Sequence, residues 1–488
     1  MLTGHLARAS LGFLVLLVGG CRFGDAPKGS PVSSTTLNVG LGGLNAAGEE
    51  FGVRQIVRNQ SVEPLVKYDE SGRPIPFLAE RWALSDDGRK LTIQLRSATF
   101  HDGSPVTAVD VVQVLGKSLP QVFGPLYEDV SSIDAVAERE LVVTFKRRSA
   151  FAIEGLDIQV TKAGDPSIGT GPFRLDTATD NPVEMIANNS YYLGKPAVDR
   201  LVLKPYPSIR AAWADLLRGQ VDMLYEVGVD AIDSLEPSSQ VKLYSFKRHY
   251  VTVALFNMRR PVLQDPRLRR ALNAGVDRER LVADALGGLG RPALSAVWPD
   301  HWARNSQGAQ FTYAPERMDH GKQHLALTCI FPTALSERLA LMLQRQLQSL
   351  GVDLMLTSLP LDQFVKRVAD ADYDILLTEV IAGPSLIRPY LFWHSKGPYN
   401  YGGFNSPEVD AALDSIRHAE NDDGYRAGVD RFQQAIAKDP PAIFLTWSER
   451  ARAVSTAFDV PVEASGRDIL SSIHLWRPAV KPTTAAVN

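Results

Sequence analysis

Between residues 78 and 112 the chain alternates apolar and polar positions and then changes period. Leu91, Ile93 and Leu95 alternate with Thr92, Gln94 and Arg96, which predicts a strand with one buried face. Asp87-Gly88 ahead of it is a tight-turn pair, and Asp102-Gly103 after Phe100 is a second. Thr107 stands three residues before Asp110, the spacing of a capping box, so a helix is predicted to open there and run through 118. Further strands are predicted at 36–39, 133–134, 141–145, 250–257, 352–357, 375–378 and 473–476. Helices are predicted at 211–219, ending at Gly219, at 265–276, with Asp265 as N-cap and Pro266 in the first turn, at 278–286, capped by Asp277, at 336–350, closed by Gly351, and at 361–369. On the helix 265–276, Leu268, Ala271, Leu272 and Gly275 share a face, while Arg267, Arg269 and Arg270 fall on others and read as a solvated surface. Strands interleaved with helices make the class α/β.

Several of these stretches also match a family pattern. It runs L-A-E-x-W, then D-G, an alternating strand ending L-R, and F-H-D-G-x-P-x-T-A-x-D-V. This chain carries it from Leu78 to Trp82, at Asp87-Gly88, at Leu95-Arg96 and from Phe100 to Val111. VEPLVKY at 62–68, GTGPF at 169–173, NSYYLGK at 189–195 and YGGFNSPEVDAAL at 401–413 match too. The chain therefore resembles the extracytoplasmic solute-binding proteins of peptide and nickel ABC importers, solute-binding protein family 5. The resemblance implies a two-lobed periplasmic-binding-protein fold (type II, cluster C-like) with an extra small α/β subdomain in the N-terminal lobe. Lobe I is expected at 36–249 plus 445–480, with 58–168 as the inserted subdomain, and lobe II at 250–444. Two crossing segments, 250–257 and 442–447, would let the lobes close on a solute by hinge motion and present it to an ABC-transporter permease. A sensor, scaffold or chaperone lipoprotein of the same fold is the alternative reading, and a secreted hydrolase the remote one.

The N-terminus changes the picture from soluble to exported. The apolar run 11–18 is shorter than the about 20 residues a spanning helix needs, and Gly19-Gly20 before Cys21 suits a secretory cleavage site. Val18-Gly19-Gly20-Cys21 resembles a bacterial lipobox, which implies a signal peptide at 1–20, lipidation of Cys21 and a membrane anchor on the periplasmic or cell-surface side. An ordinary secretory signal is the other reading. The Pro/Gly/Ser-rich stretch 22–35 is a tether, and 481–488 is expected as a disordered tail. A chain of 488 residues exceeds one core, so two or three domains are expected. A net charge of −3 without a Lys/Arg run leaves nucleic acid no electrostatic footprint. A monomer is expected. With Cys21 acylated, Cys329 has no disulfide partner and reads as a buried, inert thiol.

Candidate chemistry is sparse. No G-x-S-x-G elbow occurs, and His101-Asp102 belongs to a turn, so no enzymatic activity is expected. His320 and His324 are four apart but lack a third ligand, so neither metal nor cofactor is expected. The glycines after the first strand fit no phosphate-loop spacing and read as bends needing positive φ. By resemblance alone, the loop after that strand lines the ligand cleft, making Gly40, Leu41 and Gly42 backbone contacts. Peptide-binding members carry an Asp after the strand that follows Tyr-Asp, and it holds the ligand's α-ammonium. Here that segment reads Glu379-Val380-Ile381-Ala382-Gly383-Pro384-Ser385, with Glu379 the nearest acid. A buried cation needs a paired anion, so peptide binding is expected to be weakened or altered unless Glu379 takes the role. Beyond it lie Tyr390, Phe392, Trp393, His394, Tyr399 and Tyr401, with Arg388 the lone fixed charge in 385–393. Such a wall suits a sugar, a blocked peptide or an aromatic ligand, and one or two of the six are expected to face the cleft. The candidate ligand-binding residues are Gly40, Leu41, Gly42, Tyr250, Glu379, Arg388, Trp393 and Tyr401.

Overall fold

The computed structural model describes residues 35–42, 46–178, 182–235, 237–317, 324–333, 337–461 and 468–479. Cys21 with its signal and tether, Gly43, His320 and the tail 481–488 lie outside the described residues.

One eleven-stranded sheet runs through the molecule. Its spine is a pair of long antiparallel strands, Val241–Phe256 and Ala442–Ser455. On one side of that pair stand Met223–Leu224, Thr36–Gly42, Arg200–Tyr206, Val183–Ala187 and Phe173–Leu175. On the other stand Ile375–Ile381, Leu325–Pro332 and Val352–Leu359, with Gly290–Pro292 paired to Ala442–Ser455. The pair changes allegiance along its length. Residues 241–247 pair with 449–455 beside the first half, the register slips between Lys247 and Val251, and 251–255 pair with 442–447 beside the second. The two crossings predicted from sequence are thus the second-half ends of the pair: the strand Val241–Phe256 finishes there and the strand Ala442–Ser455 starts there.

Each half has its own core. Leu37, Val39, Leu41, Leu201, Leu203 and Trp476 are buried in the first. In the second, Leu272, Leu281, Leu339 and Leu343 pack three helices on the sheet. The small unit is a separate four-stranded sheet, Ala79–Leu84, Lys90–Leu95, Glu140–Phe145 and Val130–Ala137 in spatial order, under the helix Ala108–Phe123. Leu91, Ile93 and Leu95 face its core and Thr107 closes the capping box with Asp110, as the alternation and spacing predict. Its core merges with that of the second half: the Phe151 ring packs edge-on to Tyr390 at 5.9 Å, Ala150 N–H donates to the Arg417 carbonyl at 2.7 Å, and Arg417 pairs with the buried Asp129. The buried Glu154 carboxylate accepts from Ser385 Oγ at 2.5 Å and Tyr425 OH at 2.7 Å, and burial pushes it above the usual carboxylate range.

Three expectations are corrected. The first strand continues through Gly42, and neither Gly40 nor Gly42 has positive φ. Close packing explains the second: a Cβ there would lie 2.7 Å from the Ser208 carbonyl oxygen. Arg269 is buried, not solvated, because its guanidinium donates to the Pro440 and Leu263 carbonyls and pairs with Asp439. The segment around 473–476 is a 3-10 helix, Ile469–Leu475, not a strand. Gly169 and Gly171 do serve backbone geometry: a Cβ on either would lie 2.0 Å and 2.2 Å from the carbonyl oxygens of Ser61 and Gln60.

Candidate functional site

A cleft opens where the long strand pair passes from one half of the sheet to the other. Its main chamber, about 770 Å³, takes side chains from the small unit (Lys67, Tyr68, Phe77, Asp157), the first half (Phe246, Asp468, His474), the crossing (Arg248, His249, Tyr250) and the second half (Trp298, Ile381, Arg388). A side chamber of about 420 Å³ shares Gln55, Arg248 and Tyr250 with it and reaches Leu286, Leu289 and Leu339 of the second half. A third space of about 270 Å³ extends the main chamber past Asn59, Glu63 and Tyr191.

Strand periodicity selects the side-chamber residues. Arg248, Tyr250 and Thr252 on one crossing strand, and Thr446, Ser448 and Arg450 on the other, are alternate positions, so each set shares one face. Thr252 and Thr446 each stand between apolar neighbours, whereas Arg248 lies between Lys247 and His249, and Glu449, between Ser448 and Arg450, also lines the chamber. The expected residues distribute differently. Tyr250 and Glu379 line the side chamber, Tyr250 and Arg388 the main one. Gly40, Leu41 and Gly42 stay inside the first strand and line none of these chambers, Leu41 being fully buried in the core. Trp393 is buried in the second half's core, 1% exposed, and Tyr401 sits on the surface, 43% exposed. Of the six aromatics between 390 and 401, none lines the chambers described, because the helix Ile387–Trp393 turns Tyr390 and Trp393 into the core. The aromatic wall comes instead from Tyr250, which the sequence reading named, and from Tyr68, Phe77, Phe246 and Trp298, which it did not single out.

Charges in the cleft are engaged in pairs. Glu379 lies between two guanidinium groups, its Oε2 3.1 Å from Arg248 Nη1 and its Oε1 3.9 Å from Arg450 Nη2. Arg450 also reaches Glu226 at 3.1 Å, Arg388 pairs with Asp157 at 2.6 Å, and Asp468 holds the buried Arg452 by two contacts of 2.6 Å. Glu379 therefore meets cations of the chain itself, which accounts for an acid on a half-buried strand position and leaves it a poor anchor for a ligand ammonium. Lys67 Nζ lies 3.4 Å over the Phe77 ring centroid. Two imidazoles face the main chamber. His249 packs edge-on to Trp298 at 5.0 Å and burial pushes it down to about 4; burial, with Lys67 nearby, does the same to His474. Both rings are neutral at pH 7 and can accept a hydrogen bond at one nitrogen and donate at the other. Cys329 is fully buried and burial pushes its thiol up to about 12. Among the described residues, no cluster of three or more His, Cys, Asp or Glu could hold a metal ion; the His324 ring is exposed near Asp353.

Residues 73–402 match the family described as bacterial extracellular solute-binding proteins, family 5 Middle. Heme-binding protein A of Haemophilus influenzae is 27% identical over 306 residues, 54% of this chain and 55% of that one. The match thus spans about half the length of the first curated relatives. Among solved structures, NikZ from Campylobacter jejuni in complex with Ni(L-His) superposes with a TM-score of 0.77 at 21% identity, covering 91% of this chain and 99% of that one. The oligopeptide-binding protein AppA from Bacillus subtilis, in complex with a nonapeptide, gives 0.75 at 20% identity, covering 92% and 100%. At these identities the likeness is one of fold, and that fold is the two-lobed one.

Proposed function

The chain belongs to the bacterial extracellular solute-binding proteins of family 5, and from that membership we propose that it captures a solute between two lobes and delivers it to the permease of an ABC importer. The observation that carries this reading is the cleft at the strand crossing, lined from both halves of the sheet and from the small unit at once. A solute touching all three favours the closed arrangement, and shifts the open–closed balance only by its greater affinity for that state. The moving bodies are taken as 36–249 with 445–480, carrying 58–168, against 250–444. Relatives named for heme, for a nickel–histidine complex and for a nonapeptide share the family or the fold, so ligand class has to come from this chain's own side chains. A peptide or peptide-like solute fits the chamber volumes, held by backbone and aromatic contacts rather than by an ammonium on Glu379. Acylation of Cys21 would hold the receptor, as a monomer, at the outer side of a membrane.

Native mass spectrometry of the full chain released from detergent micelles tests this. A solute mass that stays with the folded chain, leaves on unfolding and, when restored, lowers the radius of gyration in solution scattering supports capture by closure. A chain that is bare as purified, and whose radius of gyration no member of a di- to nonapeptide library changes, overturns it.

A further inference from the structure

Arg248 stands at the boundary of the two chambers and lines both. Its guanidinium is fixed from two sides. Nη1 reaches Glu379 Oε2 at 3.1 Å and Ser448 Oγ at 3.4 Å, and the plane rests on the Tyr250 ring, 4.2 Å from its centroid. Both contacts in the plane use the same nitrogen. Among the described residues no acceptor takes the Nε–H or Nη2–H groups, which form the edge that suits a carboxylate bidentately. The side chain is 22% exposed, open enough to be reached and sheltered enough for an ion pair to outlast screening.

Its surroundings point the same way. Thr446 is fully buried, its hydroxyl has no hydrogen-bond partner, and it lines the side chamber. A buried hydroxyl left without a partner among the described residues is costly, and it marks a polar group in the chamber wall that the chain itself does not satisfy. The far wall is apolar, from Leu286, Leu289 and Leu339. Two acids also line this chamber. Glu379 is taken up by Arg248 and Arg450, and burial raises the Glu449 carboxyl, against the pull of Arg291 and Lys247. Neither removes the free edge of Arg248.

We propose that Arg248 is the specificity-determining residue of the cleft and that it pairs with a carboxylate on the solute, whose apolar body lies against the leucine wall of the side chamber. The ligand class is an apolar carboxylate, either a free organic acid or the C-terminus of a peptide ending in an apolar residue. Glu379 then acts as a positioning residue that holds the guanidinium flat on Tyr250. The proposal rests on the solute-capture reading above and deepens it.

The test pairs each acid with its primary amide: hexanoate with hexanamide, N-acetyl-leucine with its amide, and trileucine with its amide. Thermal-shift and calorimetric titrations use the full chain in detergent. At least one acid is expected to raise the melting temperature where its amide does not. Hexanoate or N-acetyl-leucine as that acid identifies an organic acid, and trileucine alone identifies a peptide C-terminus. Arg248→Met is expected to weaken the responding acid about 10- to 100-fold, the range of a lost charge-assisted pair. Arg248→Lys, which keeps a cation for Glu379 but loses the fork, is expected to lie between. If Arg248→Met does not fold, the lysine variant decides: binding equal to the parent's counts against the proposal. Amides that stabilise as well as their acids overturn the carboxylate and leave the receptor reading standing. No response in either series, with a bare chain by native mass spectrometry, overturns both.

Discussion

Replacing Arg417 by Met removes one side of a buried ion pair between the small unit and the second half. The two side chains are 4% and 8% exposed, and Arg417 also donates to Tyr390 OH at 2.9 Å. Breaking such a pair from one side costs about 3–5 kcal/mol, because the remaining charge keeps its desolvation penalty without its partner. Asp129 is not wholly abandoned: Arg147, 58% exposed, stays 2.6 Å away. That residual pairing puts the expected loss at the low end, about 3 kcal/mol. With a denaturant slope of about 3 kcal/mol/M, the urea midpoint falls by about 1 M. The double variant Arg417→Met/Asp129→Leu buries apolar groups in place of both charges and is expected to return to within about 1 kcal/mol of the parent, as matched replacements of buried pairs do. A single-variant loss below about 1 kcal/mol, or a double variant no better than the single, refutes the view that Asp129 is held in the interface by Arg417.

Gly171→Ala pushes a Cβ to within 2.2 Å of the Gln60 carbonyl oxygen and disturbs three hydrogen bonds, to Ser61, His101 and Asn188; at about 1 kcal/mol each, a loss of about 3 kcal/mol is expected by urea unfolding. Gly116, in the helix Ala108–Phe123 with open space around it, is the opposite case, and Gly116→Ala is expected to stabilise by about 0.5–1 kcal/mol in the same assay. Acidification provides a third check. Burial pushes His301 down to about 3 and His249 to about 4, below the 6.5 of the unfolded chain, so their stabilising share is complete above pH 6.5 and is lost as pH falls toward those values. The raised carboxyls of Glu63 and Glu154 act in the reverse sense. The histidine share is therefore read as a difference: His301→Gln should flatten the fall in urea midpoint between pH 7 and pH 5, by about 2 kcal/mol, and an unchanged slope counts against a neutral buried ring. Cys21→Ser is expected to move the chain from the membrane to the soluble fraction and to remove a diacylglyceryl mass from its N-terminus; retention in the membrane without that mass would dismiss the lipid anchor.

Local grammar carried the fold where contacts are close in sequence. Leu91, Ile93 and Leu95 declare a buried face by alternation alone, and Thr107 with Asp110 declares a helix start, because both ends of each interaction lie within one element. The same grammar misread Arg269. Its neighbours Arg267 and Arg270 are exposed, and nothing local says that Pro440 and Asp439 will meet the one arginine between them. It also shortened the strand Val241–Phe256 to its apolar end. Lys242, Lys247 and Arg248 look like the end of a strand, yet Lys247 is paired with Asp300 and Arg248 with Glu379, so the ladder continues through them.

The site shows the same limit and also how far period alone could reach. Glu379 reads as a free acid until Arg248 and Arg450 arrive from two other strands, and no spacing in the sequence brings the three together. The aromatics after 387 look like a binding wall because they cluster, but a helix turns its rows inward and outward every three to four residues, and this one turns Tyr390 and Trp393 into the core. A strand instead sends every second side chain to the same face. Arg248, Tyr250 and Thr252, and Thr446, Ser448 and Arg450, are such sets, and Thr252 and Thr446 each stand between apolar neighbours. A polar face with period two in the middle of a large sheet cannot be explained by solvent at a sheet edge. Here it accompanies a cavity: the side chamber is lined by these positions together with Leu286, Leu289 and Leu339 of the second half and Gln55 of the first. The proposal accordingly places specificity on the crossing-strand positions that line the side chamber, rather than on the most aromatic stretch of the chain.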